Sequence, residues 1–163
     1  MKPPRFSACI PAYNRAHLLT PLLDSIFAQD FTDFEVVITE DVSREQAQIR
    51  AIAHQYQARY SGKLVYLENE RNLGFDGNIR KLVASSSGEY CVFMGNDDLM
   101  SAGGLERWTL PLNGIRTWES CCAATRPLKA TLCSQYRNFV ISLMSGYSPR
   151  VWMRRRCFFG VAW

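Results

Sequence analysis

Several common site motifs are absent from this chain of 163 residues, and each absence argues against one class of protein. No G-x-G-x-x-G follows the first predicted strand and no G-x-x-x-x-G-K-[ST] occurs, which disfavours a Rossmann dinucleotide site and a P-loop. The six cysteines form no C-x-x-C pair, so a zinc site of the usual spacing is not predicted. His17 and His54 fall on predicted helices, outside any recognisable nucleophile motif.

Long apolar stretches are also lacking. No run approaches the roughly 18–20 residues of a membrane span, and residues 1–5 lead into a strand without a secretory leader. Cys9 and Cys91 fall inside apolar strands, where a thiol is ordinary core filling. We therefore expect a reduced, cytoplasmic setting, with peripheral association at the inner face of the membrane as an extension of it.

Acidic residues are almost missing from the last third of the chain. Residues 109–163 contain eight Lys and Arg but one acid, Glu119, whereas residues 1–108 contain 11 basic and 14 acidic residues. The change predicts a domain over 1–108 and an atypical basic tail over 109–163, rich in Cys, Trp and Arg, which we interpret as truncated or frameshifted. The Arg154–Arg156 tract is interpreted as a solvated basic tail, so no nucleic-acid partner is expected.

Within residues 1–108, apolar β-prone runs alternate with segments of helical periodicity, which predicts an α/β fold. Short connections of this kind give a mostly parallel sheet with helices on both faces. A capping box, Ser43 with Gln46, predicts the start of the second helix. Strands are predicted at 6–10, 34–39, 64–67 and 89–94, and helices at 17–29, 43–60, from Asp76 and around Leu105.

Polar loops follow three of these strands. They cover residues 11–15, 40–43 and 95–98, and the long loop 68–78 can reach the same place. Because parallel strands end at the same edge of a sheet, we expect these loops to form one site there.

The loop 95–98 carries the strongest chemical signal. Asn96, Asp97 and Asp98 follow the buried run Tyr90–Met94, and adjacent carboxylates repel each other unless a cation lies beside them. One or two carboxylates with substrate phosphates suit a hard divalent cation. The alternative is structural: one of the two acids caps a helix and the other is solvated.

The other loops have similar double interpretations. Asp41 is either a turn acid or an acceptor for a base N–H or a ribose hydroxyl. The segment Pro11–Asn14 is either an ordinary turn or a surface for a base. The segment Asn72–Asn78 holds two glycines at a helix start, where phosphate can approach the backbone closely.

Four stretches together resemble the family 2 glycosyltransferases, enzymes of the GT-A fold that use nucleotide sugars. The stretches stand in the family's order and spacing and cover about residues 1–108. Two of the stretches, NLGFDGN and GEYCVFMGNDD, are most similar in sequence to the branch of the family that builds bacterial surface polysaccharides. The four stretches are CIPAYNRAHLLTPLLDSI, DFEVVITEDVS, ENERNLGFDGNIRKLV and SGEYCVFMGNDDL.

The resemblance implies a role for each matching residue. Asp41 would hydrogen-bond the base, usually uracil, and Asp97 with its neighbour Asp98 would bind Mg²⁺ or Mn²⁺. Three positions depart from the family pattern: Gly95 replaces its first acid, Glu40 stands where Asp is common, and Val42 stands where Gly or Ala is usual. The implied nucleotide-binding residues are Pro11, Ala12, Tyr13, Asn14, Glu40, Asp41, Gly74, Asn78, Asn96 and Asp97.

The implied activity is transfer of a sugar from a nucleotide diphosphate donor, of the UDP type, to a glycan or lipid-linked acceptor in surface polysaccharide synthesis. The family's second half supplies the catalytic base, often an Asp, and residues 109–163 contain none, so no base is assigned. Two alternatives stay open. One is a non-catalytic remnant that binds nucleotide sugars, and the weaker one is a nucleotidyltransferase, which usually carries a Gly-rich, basic phosphate loop.

Overall fold

A computed structural model of the chain describes residues 2–112 and 156–159. These residues form five strands and four helices in strict alternation up to the last helix. The strands are β1 (Phe6–Ala12), β2 (Phe34–Glu40), β3 (Leu64–Glu68), β4 (Tyr90–Phe93) and β5 (Arg156–Phe159). The helices are α1 (Ala16–Phe27), α2 (Gln46–Arg59), α3 (Gly74–Ser85) and α4 (Gly104–Leu112).

All described strands are parallel, in the order β3-β2-β1-β4-β5. The chain therefore moves outward from β1 to β3, then crosses back to place β4 on the other side of β1. Because the chain builds the sheet to one side of β1 through β3 and then to the other side from β4, the ends of β1 and β4 form the topological switch point, where α/β sheets leave a crevice for ligands.

The sheet has a hydrophobic core on each face, because successive residues of a strand point to opposite sides. On one face Phe6, Ala8 and Ile10 of β1 pack with the apolar stripes of α1 and α2. On the other face Cys9 of β1 packs with Ile79 and Leu82 of α3. Helices thus cover both faces, as predicted.

The predicted elements are confirmed, with shifts at their ends. β1 continues through Pro11 to Ala12, although the sequence predicts an end at Ile10. α3 begins at Gly74, so that Asp76 lies in its first turn rather than before it. α4 runs past residue 108, and β5 adds residues 156–159 of the predicted tail to the sheet edge beside β4. The boundary at residue 108 stays a prediction, and residues 113–155 and 160–163 of the tail lie outside the described part.

The capping box at Ser43 is wrong. α2 begins at Gln46, and the Ser43 hydroxyl has no hydrogen-bond partner among the described residues. The turn is held instead by Glu40, which is fully buried and whose two carboxylate oxygens accept the amides of Val42 and Ser43 at 2.9 and 2.7 Å. A carboxylate that reaches two successive amides competes better for this turn than one hydroxyl does.

None of the helices in residues 2–112 is both long and apolar enough to cross a membrane.

Candidate donor-binding cleft at the switch point

A cleft of about 390 Å³ opens at the carboxyl ends of β1 and β4. It brings together five residues that the sequence predicts for the site: Pro11, Tyr13, Asn14, Asn96 and Asp97. The sequence analysis did not assign its other three lining residues, Arg15, Phe75 and Gly95, to nucleotide binding. The loops after β1 and β4 therefore meet, as their positions after parallel strands predict.

The wall after β1 is made by an unusual backbone. Asn14 and Arg15 both adopt left-handed conformations, with φ of 55° and 57°. Residues other than glycine seldom adopt this conformation, and those that do cluster at functional sites. The amide of Asn96, across the cleft, donates to the Asn14 carbonyl at 2.9 Å and ties the two walls together.

The wall after β4 presents two acids in different ways. Asp97 is exposed and its carboxylate pairs with Arg15 at 2.5 Å. The Asp98 carboxylate accepts the amide of Gly95 at 2.9 Å, and its own amide donates to the Gly95 carbonyl at 3.1 Å. Asp98 therefore closes its own loop, and Asp97 is the acid that faces the cleft.

Gly95 explains how the two acids fit. A Cβ at this position would lie 2.8 Å from an oxygen of Asp97 and 3.1 Å from an oxygen of Asp98. A residue with a side chain would push both carboxylates outward. Gly95, which replaces the first acid of the family pattern, thus leaves room for a tight turn that holds both carboxylates.

Asp41 lies after β2, at the far end of the same sheet edge, and is 3% exposed. One of its oxygens accepts the side-chain amide of Asn69 at 2.6 Å and the backbone amide of Leu73 at 2.8 Å. The other accepts no hydrogen bond from any residue that the structure describes. A buried carboxylate with one free oxygen is suited to accept an N–H from a bound base.

Asn69 and Asn78 support Asp41 from behind. Asn69 donates to the Asn78 side chain at 3.1 Å, and Asn78 in turn donates to the Thr39 carbonyl at 3.2 Å. Asn78 is 3% exposed, so its side chain acts through the network rather than at a surface. Asn69 was missed by the sequence analysis, although its position directly after β3 is equivalent to that of Asp41 after β2.

The remaining predicted residues contribute backbone and shape. Ala12 is buried, and its carbonyl accepts the Asp41 amide at 3.1 Å. Glu40 holds the following turn through both carboxylate oxygens, as described above. Gly74 has φ of 69° at the start of α3, and its amide donates to the Asn72 side chain at 2.9 Å.

Exposed rings flank the cleft on both sides. Tyr13 is 51% exposed and Phe75 is 61% exposed, and both line the opening. Flat apolar surfaces of this kind at a polar cleft fit a base or a sugar ring.

The described residues of the cleft offer few ligands to a divalent cation. In the described part of the chain no group of three or more His, Cys, Asp and Glu residues could hold a metal ion. Asp97 offers one carboxylate, and Mg²⁺ or Mn²⁺ is typically bound by one or two carboxylates together with substrate phosphates and water. The residues present are therefore compatible with a cation that arrives with a diphosphate.

The cleft and the order of the strands can be compared with known proteins. A sequence model described as Glycosyl transferase family 2 matches residues 7–114. Abequosyltransferase RfbV of Salmonella typhimurium is 33% identical over 101 residues, which are 61% of this chain and 30% of that protein. Poly(ribitol-phosphate) beta-N-acetylglucosaminyltransferase TarS of Staphylococcus aureus is 34% identical over 100 residues, which are 60% of this chain and 17% of that protein.

Solved structures show the same architecture. The crystal structure of S. aureus TarS 1-349 in complex with UDP matches with a TM-score of 0.59 and 29% identity, over 64% of this chain and 31% of that one. This chain spans less than a third of each of these proteins. The described part has the parallel α/β architecture of the GT-A glycosyltransferases. The family match covers about two thirds of the chain, and the chain belongs to glycosyl transferase family 2.

Proposed function

We propose that this chain binds a nucleoside diphosphate sugar, of the UDP type, in the cleft at the switch point. The observation that carries the proposal is that Tyr13 and Arg15 after β1 face Asp97 after β4 in one cleft, in a member of glycosyl transferase family 2. UDP in the related TarS structure supports the choice of nucleotide.

The base end of the donor is assigned to the loop after β2. Asn69 and the Leu73 amide fix one oxygen of Asp41, and the other, which no described residue contacts by a hydrogen bond, can accept the N–H of a uracil. Tyr13 and Phe75 offer rings on which the base or the sugar can pack. Because Asp41 cannot rotate without breaking two hydrogen bonds, the loop is arranged before the donor arrives.

The diphosphate end is assigned to Asp97. Mg²⁺ or Mn²⁺ held between Asp97 and the phosphates would act as a Lewis acid that stabilises the leaving diphosphate. The chain's own part is to hold this carboxylate at the mouth of the cleft, through the Asn96 amide on Asn14 and the Asp98 carboxylate on Gly95. Asp98, assigned to the metal on the sequence, serves in this proposal to shape the loop.

The reaction that follows from these assignments is transfer of the sugar to a hydroxyl of a glycan or a lipid-linked acceptor, in surface polysaccharide synthesis. It would take place in the cytoplasm, at or near the inner face of the membrane. Relatives that act on poly(ribitol-phosphate) and on a polyprenol-linked glycan support this acceptor class. The acceptor must lose a proton, and transfer therefore needs a general base.

One observation favours a second candidate, a nucleotide-sugar-binding remnant without turnover. Asp97 is the only carboxylate among the residues that line the cleft in the described part of the chain. An acid that binds the metal cannot also serve as the base. The two candidates share donor binding and differ only in transfer.

Calorimetric titration of the purified chain with UDP, in Mn²⁺ and then in EDTA, tests donor binding. We expect binding in Mn²⁺, a large loss in EDTA, and the same loss in Asp97→Asn. Glu89→Gln is the matched control, because Glu89 is also 48% exposed and also pairs with an arginine, Arg5, at 2.9 Å. Equal affinity of Asp97→Asn and the unaltered chain would remove Asp97 from the site.

Turnover of UDP-sugars by the chain that binds UDP separates the two candidates. Release of UDP that depends on an added glycan acceptor supports the transferase. Binding without acceptor-dependent release supports the remnant.

A further inference from the structure

The ion pair between Arg15 and Asp97 lies across the switch point. The Arg15 guanidinium is 2.5 Å from the carboxylate of Asp97, and the two residues are 82 positions apart in the chain. Both side chains are about half exposed, at 57% and 48%. A pair with this exposure adds little to stability, since such pairs contribute roughly 0–1 kcal/mol.

The backbone conformation that places Arg15 beside Asp97 is energetically unfavourable. Arg15 and the preceding Asn14 are both left-handed, a conformation that asparagine tolerates but that costs roughly 1–2 kcal/mol for an arginine. Two successive residues in this conformation turn the chain sharply at the end of β1 and direct the arginine toward Asp97. An exposed ion pair does not offset that strain, which suggests that the arginine has a role beyond the pair.

The charges in the cleft set up a competition. Asp97 already has a cation beside it, and a free Mn²⁺ ion that approached the same carboxylate would be repelled by the guanidinium. A nucleoside diphosphate changes this balance, because its phosphate oxygens can accept hydrogen bonds from a guanidinium and can bind a metal ion at the same time.

We propose that Arg15 occupies Asp97 until the donor binds and then transfers to the donor's diphosphate, so that metal and nucleotide enter the cleft together. This inference rests on the proposed function. Arg15 is thereby a donor-binding residue, and it also keeps the metal affinity of the empty cleft low. Since linkage is reciprocal, UDP should strengthen Mn²⁺ binding by the same factor by which Mn²⁺ strengthens UDP binding.

Substitution of Arg15 should move two affinities in opposite directions. In Arg15→Gln, we expect Mn²⁺ alone to bind about two- to fivefold more tightly, which is the range that loss of an exposed ion pair allows. We expect UDP in saturating Mn²⁺ to bind about tenfold more weakly, because charge-assisted hydrogen bonds to the diphosphate are lost. A purely structural role of Arg15 would weaken both affinities together.

The experiment uses two readouts on the full chain. The electron paramagnetic resonance signal of free Mn²⁺ reports metal binding without nucleotide, with Asp97→Asn as the background. Calorimetry reports UDP binding in Mn²⁺. Arg5→Gln is the control for removal of an arginine, because Arg5 pairs with Glu89 at the opposite end of the strands, and it should change neither affinity.

Tighter Mn²⁺ binding with weaker UDP binding in Arg15→Gln supports the exchange. Unchanged or weaker binding of Mn²⁺ alone overturns it, whatever happens to UDP. Failure of the unaltered chain to bind UDP in Mn²⁺ would overturn the proposed function, while the Mn²⁺ titration would still show whether Arg15 competes for Asp97.

Discussion

The amino ends of the strands, here called the amino edge of the sheet, and their carboxyl ends, the carboxyl edge, differ in how far their polar groups are hydrogen-bonded. At the amino edge Glu35 accepts hydrogen bonds from the Ser7 hydroxyl at 2.6 Å and from the Ser87 amide and hydroxyl at 2.5 and 2.7 Å, and Gly88 donates to Ser7 at 2.8 Å. At the carboxyl edge, the described part of the chain leaves one oxygen of Asp41 and the hydroxyls of Thr39 and Ser43 without partners.

The hydrogen bonds of the described residues are therefore complete at one end of the strands and incomplete at the other. Polar groups at the amino edge satisfy one another, so this edge fixes the ends of β1, β2 and β4. Polar groups at the carboxyl edge are held in place with part of their hydrogen-bonding capacity unused. Buried polar groups without partners are uncommon in proteins, and a cluster of them is typical of a site that receives a ligand or ordered water.

We expect the largest change in stability from Gly88→Ala at the amino edge. A Cβ there would lie 2.5 Å from the Ser7 hydroxyl, 2.7 Å from the Ser7 nitrogen and 2.8 Å from the carbonyl carbon of Phe6. Backbone atoms of a central strand cannot move aside, so we expect the free energy of unfolding to fall by about 3 kcal/mol.

Urea titration of Gly88→Ala measures this loss, with Gly62→Ala as the control. Gly62 has φ of 77° with open space around its Cα, and its substitution reports backbone strain without a clash. A loss at Gly88 no greater than that at Gly62 would mean that the amino edge adapts to the added methyl group.

A smaller effect of opposite sign is expected at the carboxyl edge, from Val42→Asn. Val42 has φ of 56°, a region that a β-branched side chain tolerates poorly and that asparagine tolerates well. The residue is 40% exposed, so little packing is lost. We expect the free energy of unfolding to rise by about 1 kcal/mol.

Thermal and urea unfolding of Val42→Asn check this expectation, and Val65→Asn, at a partly buried position of β3, should be destabilising instead. If Val42→Asn were destabilising as well, the left-handed turn after β2 would not be strained.

The smallest effect concerns pH at the end of β3. The Arg50 guanidinium, at 2.5 and 2.8 Å from the two oxygens of Glu68, holds the pKa of that carboxyl below its ordinary value, and the Tyr66 hydroxyl at 2.8 Å acts in the same direction. Burial, followed by this bond to Glu68, raises the pKa of Tyr66. The tyrosine is therefore a donor at neutral pH.

A lowered pKa in the folded state means that Glu68 stabilises the fold above its unfolded pKa of about 4.3, and that this contribution is lost as the pH falls through the folded value. We expect Glu68→Gln to be less stable than the unaltered chain at pH 7, with a difference that begins to shrink below about pH 4.3 and closes below the lowered pKa of the folded state. Unfolding of both proteins at several pH values measures it. A difference that stayed constant down to pH 3 would show that the ion pair does not contribute.

The sequence predicted the fold well because the apolar runs are long and alternate regularly. Val36–Ile38 and Cys91–Phe93 are short, β-prone apolar runs typical of buried strands, and the alternation between strands and helices allows few topologies. Strand ends were less accurate, as at Pro11, because the ends of β-strands depend on pairing with neighbours rather than on local preference.

The sequence predicts which loops meet at the cleft, but not the hydrogen bonds among them. Asp97 and Asp98 have the same chemistry in the sequence, and only the turn at Gly95 separates the acid that faces the cleft from the acid that closes the loop. The error at Ser43 has the same origin, since a motif of four residues cannot reveal that Glu40 reaches its amides first. Arg15 met Asp97 only through the fold, across 82 positions.

Asp41 follows β2 and Asp97 lies in the loop after β4, and these strands flank β1, so the two strands are two strand spacings apart, roughly 10 Å. The hydrogen bond of Glu45 to the first amide of α1, at 2.7 Å, links the loops after β1 and β2 into one unit. Under the proposed function, the fixed spacing of these strands sets the distance between the base and the outer phosphate in a donor that reaches both loops.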